Sequence, residues 1–305
     1  MADGRGGISV IMNGRSAKAS RPEAGDELQT LFARSGVKVR IERVPHPLDI
    51  GARARQAVAR GDALIAAGGD GTVGTVAAVA VDTRATLGVL PMGTLNHFAK
   101  DLGLPLDLAQ AVAAIVAGEC REVDVGEVNG RIFINNSSVG IYPRMVWERD
   151  TEQRRGRRKW TAFAIAVLRT WRRYRMVVAR VAVNGTEAVV RTPFVFVGNN
   201  EYKAEGFELG GRTTLDHGKL SIFLAPECGR FELLALPVRA LAKRLNTGTP
   251  FAALSADTLT VDVRQSRVNV SLDGEVAMMR SPLVYRVRPR ALRIIAPPPA
   301  PAPAK

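Results

Sequence analysis

The sequence predicts an α/β domain followed by a mainly antiparallel β-sandwich domain, and three observations predict it. Up to about residue 125, β-branched runs alternate with Ala-rich helical patterns, as βαβ units around a parallel sheet require. After Glu122 the texture changes to short strands joined by Asn-Gly turns. The chain's 305 residues, 46% hydrophobic and 24% charged, suit about two domains of ~100–200 residues each.

The elements follow in order. Ile8 to Met12 is a strand leading into the polar loop Asn13-Gly14-Arg15-Ser16, and Pro22 to Ser35 has helical spacing through Leu28, Leu31 and Phe32. Val37 to Val44 is a second strand, and Asp49 to Arg60 a helix. Ala63 to Ala67 is a buried strand that meets the turn Gly68-Gly69-Asp70-Gly71-Thr72, with a helix over Val73 to Val81. Thr86 to Leu90 is a strand and Asn96 to Leu102 a short helix. Asp107, an N-cap type, opens another helix that Gly118 can close.

In the second half, Val123 to Val128 and Arg131 to Asn135 flank Asn129-Gly130, while Val177 to Val183 and Glu187 to Arg191 flank Asn184-Gly185. Both predict hairpins whose turns need positive φ. Further strands are Phe194 to Val197, Lys219 to Leu224, Thr258 to Arg264, Arg267 to Leu272 and Leu283 to Val287, with helical patterns near Arg154 to Tyr174 and Phe231 to Leu245. This places the domains at 1–124 and 125–287, with a strand in 288–296 as a candidate to rejoin the first and a Pro/Ala tail at 297–305.

Forty-three Lys and Arg against 29 Asp and Glu leave a net charge of +14, which favours a polyanionic partner: nucleic acid, an anionic membrane surface or a phosphate-bearing ligand. Arg149 to Arg175 alone holds ten basic residues and two acids, interleaved with Trp160, Phe163, Ile165, Leu168 and Trp171. On a helix that pattern suits an anionic interface, and it equally suits a stripe packed on the β domain. No nucleic-acid-binding motif accompanies the charge, so nucleic acid is not expected. Cys120 and Cys228 fit no metal spacing and read as two free buried thiols of a reducing compartment. The N-terminus has no secretory pattern, and every apolar stretch is interrupted short of the ~20 residues a membrane span needs. A cytoplasmic or membrane-peripheral protein is the expectation.

Gly68, Gly69 and Gly71 after a buried strand let main-chain N–H groups approach an anion at a helix N-terminus. Asp70 among them repels phosphate unless it holds a metal, a loop amide or a ligand hydroxyl. The P-loop pattern GxxxxGK[ST] is missing. A second polar loop, Pro91 to Phe98, follows the next strand; Gly93 gives it freedom, Thr94 and Asn96 are candidate donors to phosphate or ribose, and Asn96 is equally a candidate N-cap. Two such loops at the carboxyl ends of successive strands are what nucleotide binding in an open α/β sheet demands.

Asn13-Gly14-Arg15-Ser16, Gly68 to Thr72, Gly93-Thr-Leu-Asn-His-Phe-Ala-Lys-Asp-Leu-Gly-Leu-Pro105 and Leu272-Asp273-Gly274-Glu275 together resemble, in order and spacing, the bacterial diacylglycerol kinase-like lipid kinases, relatives of sphingosine and ceramide kinases. The resemblance runs to about residue 296. It implies ATP bound by Asn13, Gly14, Ser16, Gly68 to Thr72, Gly93, Thr94 and Asn96 in a cleft between two domains, Mg2+, and transfer of the γ-phosphoryl to a lipid hydroxyl, of diacylglycerol type first. A cytoplasmic enzyme peripheral to the inner membrane follows, with Arg149 to Arg175 facing the lipid and a second copy of the chain kept open as a partner. An NAD kinase-like soluble kinase and a non-catalytic nucleotide- or lipid-binding protein are the alternatives.

The resemblance also carries the chemistry. Asp273-Gly274 by itself reads as a hairpin turn; the family match makes Asp273 the candidate base, with Glu275, Asp70 and Asp124 beside it as catalytic candidates. Asp124, Asp273 and Glu275 are candidates to orient Mg2+ through water, and Asp216 is a weaker one. The sequence departs from the family at Gly14, where Pro is usual, at His97, where Asp is usual and imidazole is a poor Mg2+ ligand, and at Asp216-His217-Gly218, where Asp-Asp-Gly is usual. His46, flanked by prolines, reads as a loop residue. Asn135, Asn136 and Ser137, and Asn199-Asn200-Glu201, each fit either a ligand-lining role or the satisfaction of a bend.

Overall fold

The computed structural model describes residues 7–16, 18–140, 176–183, 185–205, 208–212, 214–224 and 252–298. They fall into two units, one of the described residues up to Val125 with those from Pro289 onward, the other Gly126 to Arg288.

In the first unit, the strands β1 (Ile8–Asn13), β2 (Arg40–Val44), β3 (Ala63–Gly68) and β4 (Leu87–Pro91) alternate with the helices α1 (Ala24–Arg34), α2 (Ile50–Ala59) and α3 (Asp70–Thr83). The short α4 (His97–Asp101) and α5 (Leu108–Ala117) follow. The strands are parallel in the order β2-β1-β3-β4, and Ile294 of the chain's last strand pairs in parallel with Leu87. Val10, Ile11, Met12 and Leu64 to Ala67 are buried, as the near-continuous apolar runs of strands covered on both faces should be. α1 buries Ala24, Leu28 and Phe32, and α5 buries Leu108, Ala111, Val112 and Ile115. Asp107 caps α5 by accepting from the Gln110 amide at 3.0 Å.

That strand order has a consequence for ligands. The chain leaves β1 for β2 on one side and returns to β3 on the other, so the order reverses between β1 and β3, and Asn13 and Gly68 stand at their carboxyl ends. At the opposite end, the Asp62 carboxylate accepts from the Gly7 amide (3.1 Å), the Ser9 hydroxyl (2.7 Å) and Arg40 (3.0 Å), joining the starts of β1, β2 and β3. Burial opposes its charge, but the Ser9, Arg60 and Arg40 contacts together hold its pKa below the usual carboxylate range.

The second unit holds β6 (Arg131–Phe133), reached through β5 (Glu119–Val128), then β7 (Asn136–Gly140), β8 (Val177–Val183), β9 (Thr186–Thr192) and β10 (Phe194–Asn199). After these come β11 (Tyr202–Glu205), β12 (Glu208–Arg212), β13 (Leu220–Leu224), β14 (Ala252–Ala256), β15 (Thr258–Val263), β16 (Arg267–Leu272), β17 (Glu275–Arg280) and β18 (Leu283–Ala296). One antiparallel sheet runs β14-β13-β10-β7-β16-β17, and the first half of β18 pairs with β15, which continues to β8 and β9. Val139, Val195, Val197, Ile222 and Val270 of the former share one buried core with Val181, Val261, Leu283 and Tyr285 of the latter, which makes the unit a β-sandwich. Burial pushes the Tyr285 hydroxyl's pKa up; its oxygen lies 3.1 Å from that of Ser137.

Several expectations need correction. α3 begins at Asp70, three residues earlier than the apolar pattern indicates, because Gly69 is already extended (φ −88°, ψ −177°) and Asp70 suits the positive end of a helix. Gly71 and Thr72 are therefore helical. β2 begins at Arg40, not Val37. Cys120 is exposed, since β5 enters the core only from Val123 on. The strands expected at Leu283 to Val287 and in 288–296 are one strand, with Arg290 at φ 51°. Cys228, Arg149 to Arg175 and the helical pattern of Phe231 to Leu245 lie outside the described residues. Among the described residues no helix is long and apolar enough to cross a membrane.

Gly126 pairs across the β5/β6 hairpin with Phe133, whose ring lies over it: a Cβ at 126 would sit 2.2 Å from the ring's Cζ. Gly126→Ala therefore overpacks the core and is expected to cost about 1–3 kcal/mol, read as a lower urea midpoint with unchanged slope. An unchanged midpoint would show that the ring yields freely.

Candidate functional site

Three loops at the carboxyl edge of the parallel sheet are tied together by specific contacts. Asn13 donates through Nδ2 to the Thr72 hydroxyl at 2.9 Å and accepts from the Arg15 amide at 3.0 Å, joining the loop after β1 to the first turn of α3. Gly14 donates to the Val44 carbonyl at 3.0 Å, and Ser16 to the Asn13 carbonyl at 2.9 Å. The loops after β3 and β4 meet backbone to backbone: a Cβ at Gly93 would lie 2.3 Å from the Gly69 Cα, and one at Gly68 would lie 2.6 Å from the Thr72 side chain. These two contacts demand glycine through space, since neither Gly68 nor Gly93 has positive φ.

Asp70 accepts from the Phe98 amide at 3.2 Å, so of the three partners open to it the structure supplies the loop amide. A carboxylate there is neutralised by that donor and by the dipole of α3, whose first turn it occupies. Asn96 stands at the N-cap position of α4 without a side-chain cap bond. It sits at φ 52°, its Oδ1 accepts from the Gly93 amide at 2.9 Å and its Nδ2 donates to the Gly93 carbonyl at 3.0 Å, so its carboxamide closes the turn and does not cap α4. Thr94 and His97 are exposed. Asp124 is buried and accepts from the Arg290 amide at 2.8 Å, holding the last strand at its irregular residue.

In the second unit, Asp273 and Gly274 are the two-residue turn between β16 and β17, at φ 48° and 85°. The turn aims the Asp273 carboxylate at β6 and β7. It accepts from the amides of Ile134 (2.9 Å), Asn135 (2.7 Å) and Asn136 (3.1 Å), while its own amide donates to the Asn136 carbonyl (2.9 Å). Burial pushes its pKa up to about 6, against the three amides and the charge of Arg212, all of which pull it down. Glu275 is exposed at the start of β17. Asp216 is also exposed, and His217 places Nδ1 3.3 Å from the Glu201 carboxylate. Among the described residues no three His, Cys, Asp or Glu side chains gather as a metal cage.

Residues 7–128 match the diacylglycerol kinase catalytic domain, and residues 139–296 match the YegS C-terminal NAD kinase beta sandwich-like domain. The chain belongs to the diacylglycerol kinase-like family. A diacylglycerol kinase of Bacillus subtilis (strain 168) is 42% identical over 90 residues, 28% of this chain and 30% of that protein. One from Staphylococcus saprophyticus is 42% identical over 89 residues, 28% of this chain and 29% of its own. The chain thus spans less than a third of the length of the curated relatives it matches. The crystal structure of a diacylglycerol kinase from Bacillus anthracis str. Sterne superposes with a TM-score of 0.73 at 20% identity, covering 96% of this chain and 97% of that one, a likeness of fold.

Within this diacylglycerol kinase-like fold, sequence reasoning missed Arg212, Tyr202 and the role of Asn199. Arg212 is buried and donates to the Ile134 carbonyl (2.5 Å), the Asn199 carbonyl (3.3 Å) and Asn135 Oδ1 (2.9 Å). One weak cue to Arg212 is its place as a lone arginine between a Gly pair and the Asp216 turn.

If Asp70 serves chiefly as a loop acceptor, Asp70→Ala should cost about 1–2 kcal/mol of stability and Asp70→Asn, which keeps an acceptor for the Phe98 amide, much less. Equal losses in thermal or urea unfolding would remove that contact from the account.

Proposed function

We propose that this chain is an ATP-dependent lipid kinase that transfers the γ-phosphoryl group of ATP to a lipid hydroxyl, of diacylglycerol type first. The observation that supports the reading most is Asp273: a carboxylate fixed by three amides, with a pKa raised to about 6, has the proton affinity a general base needs near neutral pH. The first unit suits a triphosphate. Gly68 stands at the topological switch point just before α3 begins, and Gly93 lets the loop after β4 pack its backbone against the Gly69 Cα beside it.

In this reading the amides of Gly68 to Thr72, with Asn13 and Thr72 holding the loops in register, orient the phosphates. Asp273 accepts the proton of the lipid hydroxyl as that oxygen attacks the γ-phosphorus, and the leaving group is the β-phosphate oxygen of the diphosphate product. Phosphoryl transfer asks for little more than alignment and charge neutralisation. Mg2+, when bound, supplies that neutralisation; with no protein cage among the described residues it would be held mainly by phosphate and water oxygens. Recruitment to an anionic membrane surface by Arg149 to Arg175 belongs to the same proposal and rests on the sequence.

Radiolabelled ATP offered with diacylglycerol, monoacylglycerol, phosphatidylglycerol, sphingosine, ceramide and NAD should label a lipid, with diacylglycerol first. Label in NADP alone would replace the lipid by a nucleotide acceptor, and no label on any acceptor would favour a binding protein. Because the base must be ionised, kcat/KM is expected to fall as pH drops through about 6. Asp273→Asn should abolish turnover while largely keeping ATP affinity; retained turnover would remove Asp273 from the base role.

A further inference from the structure

We infer that Arg212 is a positioning residue for Asp273, acting through the segment Ile134 to Asn136. The inference rests on the kinase reading for its consequence, and on geometry alone for its substance.

The segment is gripped from two sides. Its three amides all point at the Asp273 carboxylate, a nest of N–H groups that can hold an anion only while the peptide planes keep that orientation. Its carbonyls are held from the other side. Ile134 O accepts from Arg212 Nη1 (2.5 Å) and Asn199 Nδ2 (3.0 Å); Asn135 O accepts from the Asn199 amide (2.9 Å) and the Tyr202 hydroxyl (2.8 Å). Arg212 Nη2 also takes the Asn135 side chain at 2.9 Å, and Nη1 reaches the Asn199 carbonyl at 3.3 Å. The guanidinium thus fastens both residues whose amides make the two shortest bonds to Asp273, and it stacks 5.7 Å from the centre of the Tyr202 ring.

Only arginine's planar fork does this. Its donors diverge in one plane and meet a carbonyl and a carboxamide at once, whereas lysine offers one ammonium. A buried guanidinium is costly to desolvate, so its retention at 7% exposure calls for a use beyond filling space. Arg212 itself touches no reacting atom in this account. It keeps the peptide planes that keep the base.

The test compares wild type with Arg212→Lys, Arg212→Met and Asn135→Ala, the last removing only the Nη2 partner should either arginine variant fail to fold. Hydrogen exchange of the Ile134, Asn135 and Asn136 amides, read by mass spectrometry, should accelerate about tenfold or more in each arginine variant and less in Asn135→Ala. In the lipid-kinase assay kcat should fall about 100-fold, the scale of a 1 Å misplacement, with KM for ATP within about twofold. Amides as protected as in wild type would overturn the inference, as would faster exchange with kcat unchanged. A wild type inert toward every acceptor would sink the kinase reading instead, and the exchange of the three amides would still decide whether Arg212 holds them.

Discussion

The bond set on which the second unit's chemistry depends is the grip of three successive amides on the Asp273 carboxylate. Two opposing effects act on it. Desolvation favours the neutral acid, while three hydrogen bonds and the charge of Arg212 favour the anion, and the pKa of about 6 shows that desolvation wins by a margin small enough to leave the group ionised at neutral pH. The Asp-Gly hairpin turn and the proposed base are therefore the same feature, because φ of 48° at Asp273 is what turns the side chain toward β6 and β7.

The first unit solves a related problem with different means. An acid beside the glycines proposed to bind phosphate is electrostatically awkward, and Asp70 accepts from the Phe98 amide across the loops. The family's Asp at the neighbouring position is His97 here, and the structure shows why that exchange leaves the loop contact intact. The donor to Asp70 comes from the backbone of residue 98, while the ring at 97 points to solvent. Gly93 is fixed by the touching of two backbones, a constraint stricter than a turn's φ because no rotamer can relieve it.

Local chemistry was legible in the sequence wherever one residue type decides a conformation. Asn129-Gly130 and Gly185 sit at positive φ in two-residue turns, and Asp107 caps α5, each by rules that need no neighbours from elsewhere in the chain. Contacts between distant segments were not legible. The carboxamide of Asn96 fits a cap, a ligand or a turn equally well until Gly93 is seen against it, and Arg212 lies 77 residues from the Asn135 it holds. Cys120 was misjudged for the same kind of reason: cysteine's preference for the interior gave way to its place on the exposed start of β5.

Asp70, Asp124 and Asp273 each accept from main-chain N–H groups, and this bears on how the fold tolerates change. Side-chain cages must keep each ligand residue, whereas amide nests need only the backbone path and the few residues that fix it: glycine where two chains touch, aspartate where a turn must aim a carboxylate. A superposition at TM-score 0.73 with 20% identity is what such a rule permits. It also locates the constraint that remains. Such a path needs side chains that hold peptide planes from behind, which is the place Arg212 occupies among the carbonyls of Ile134 and Asn199.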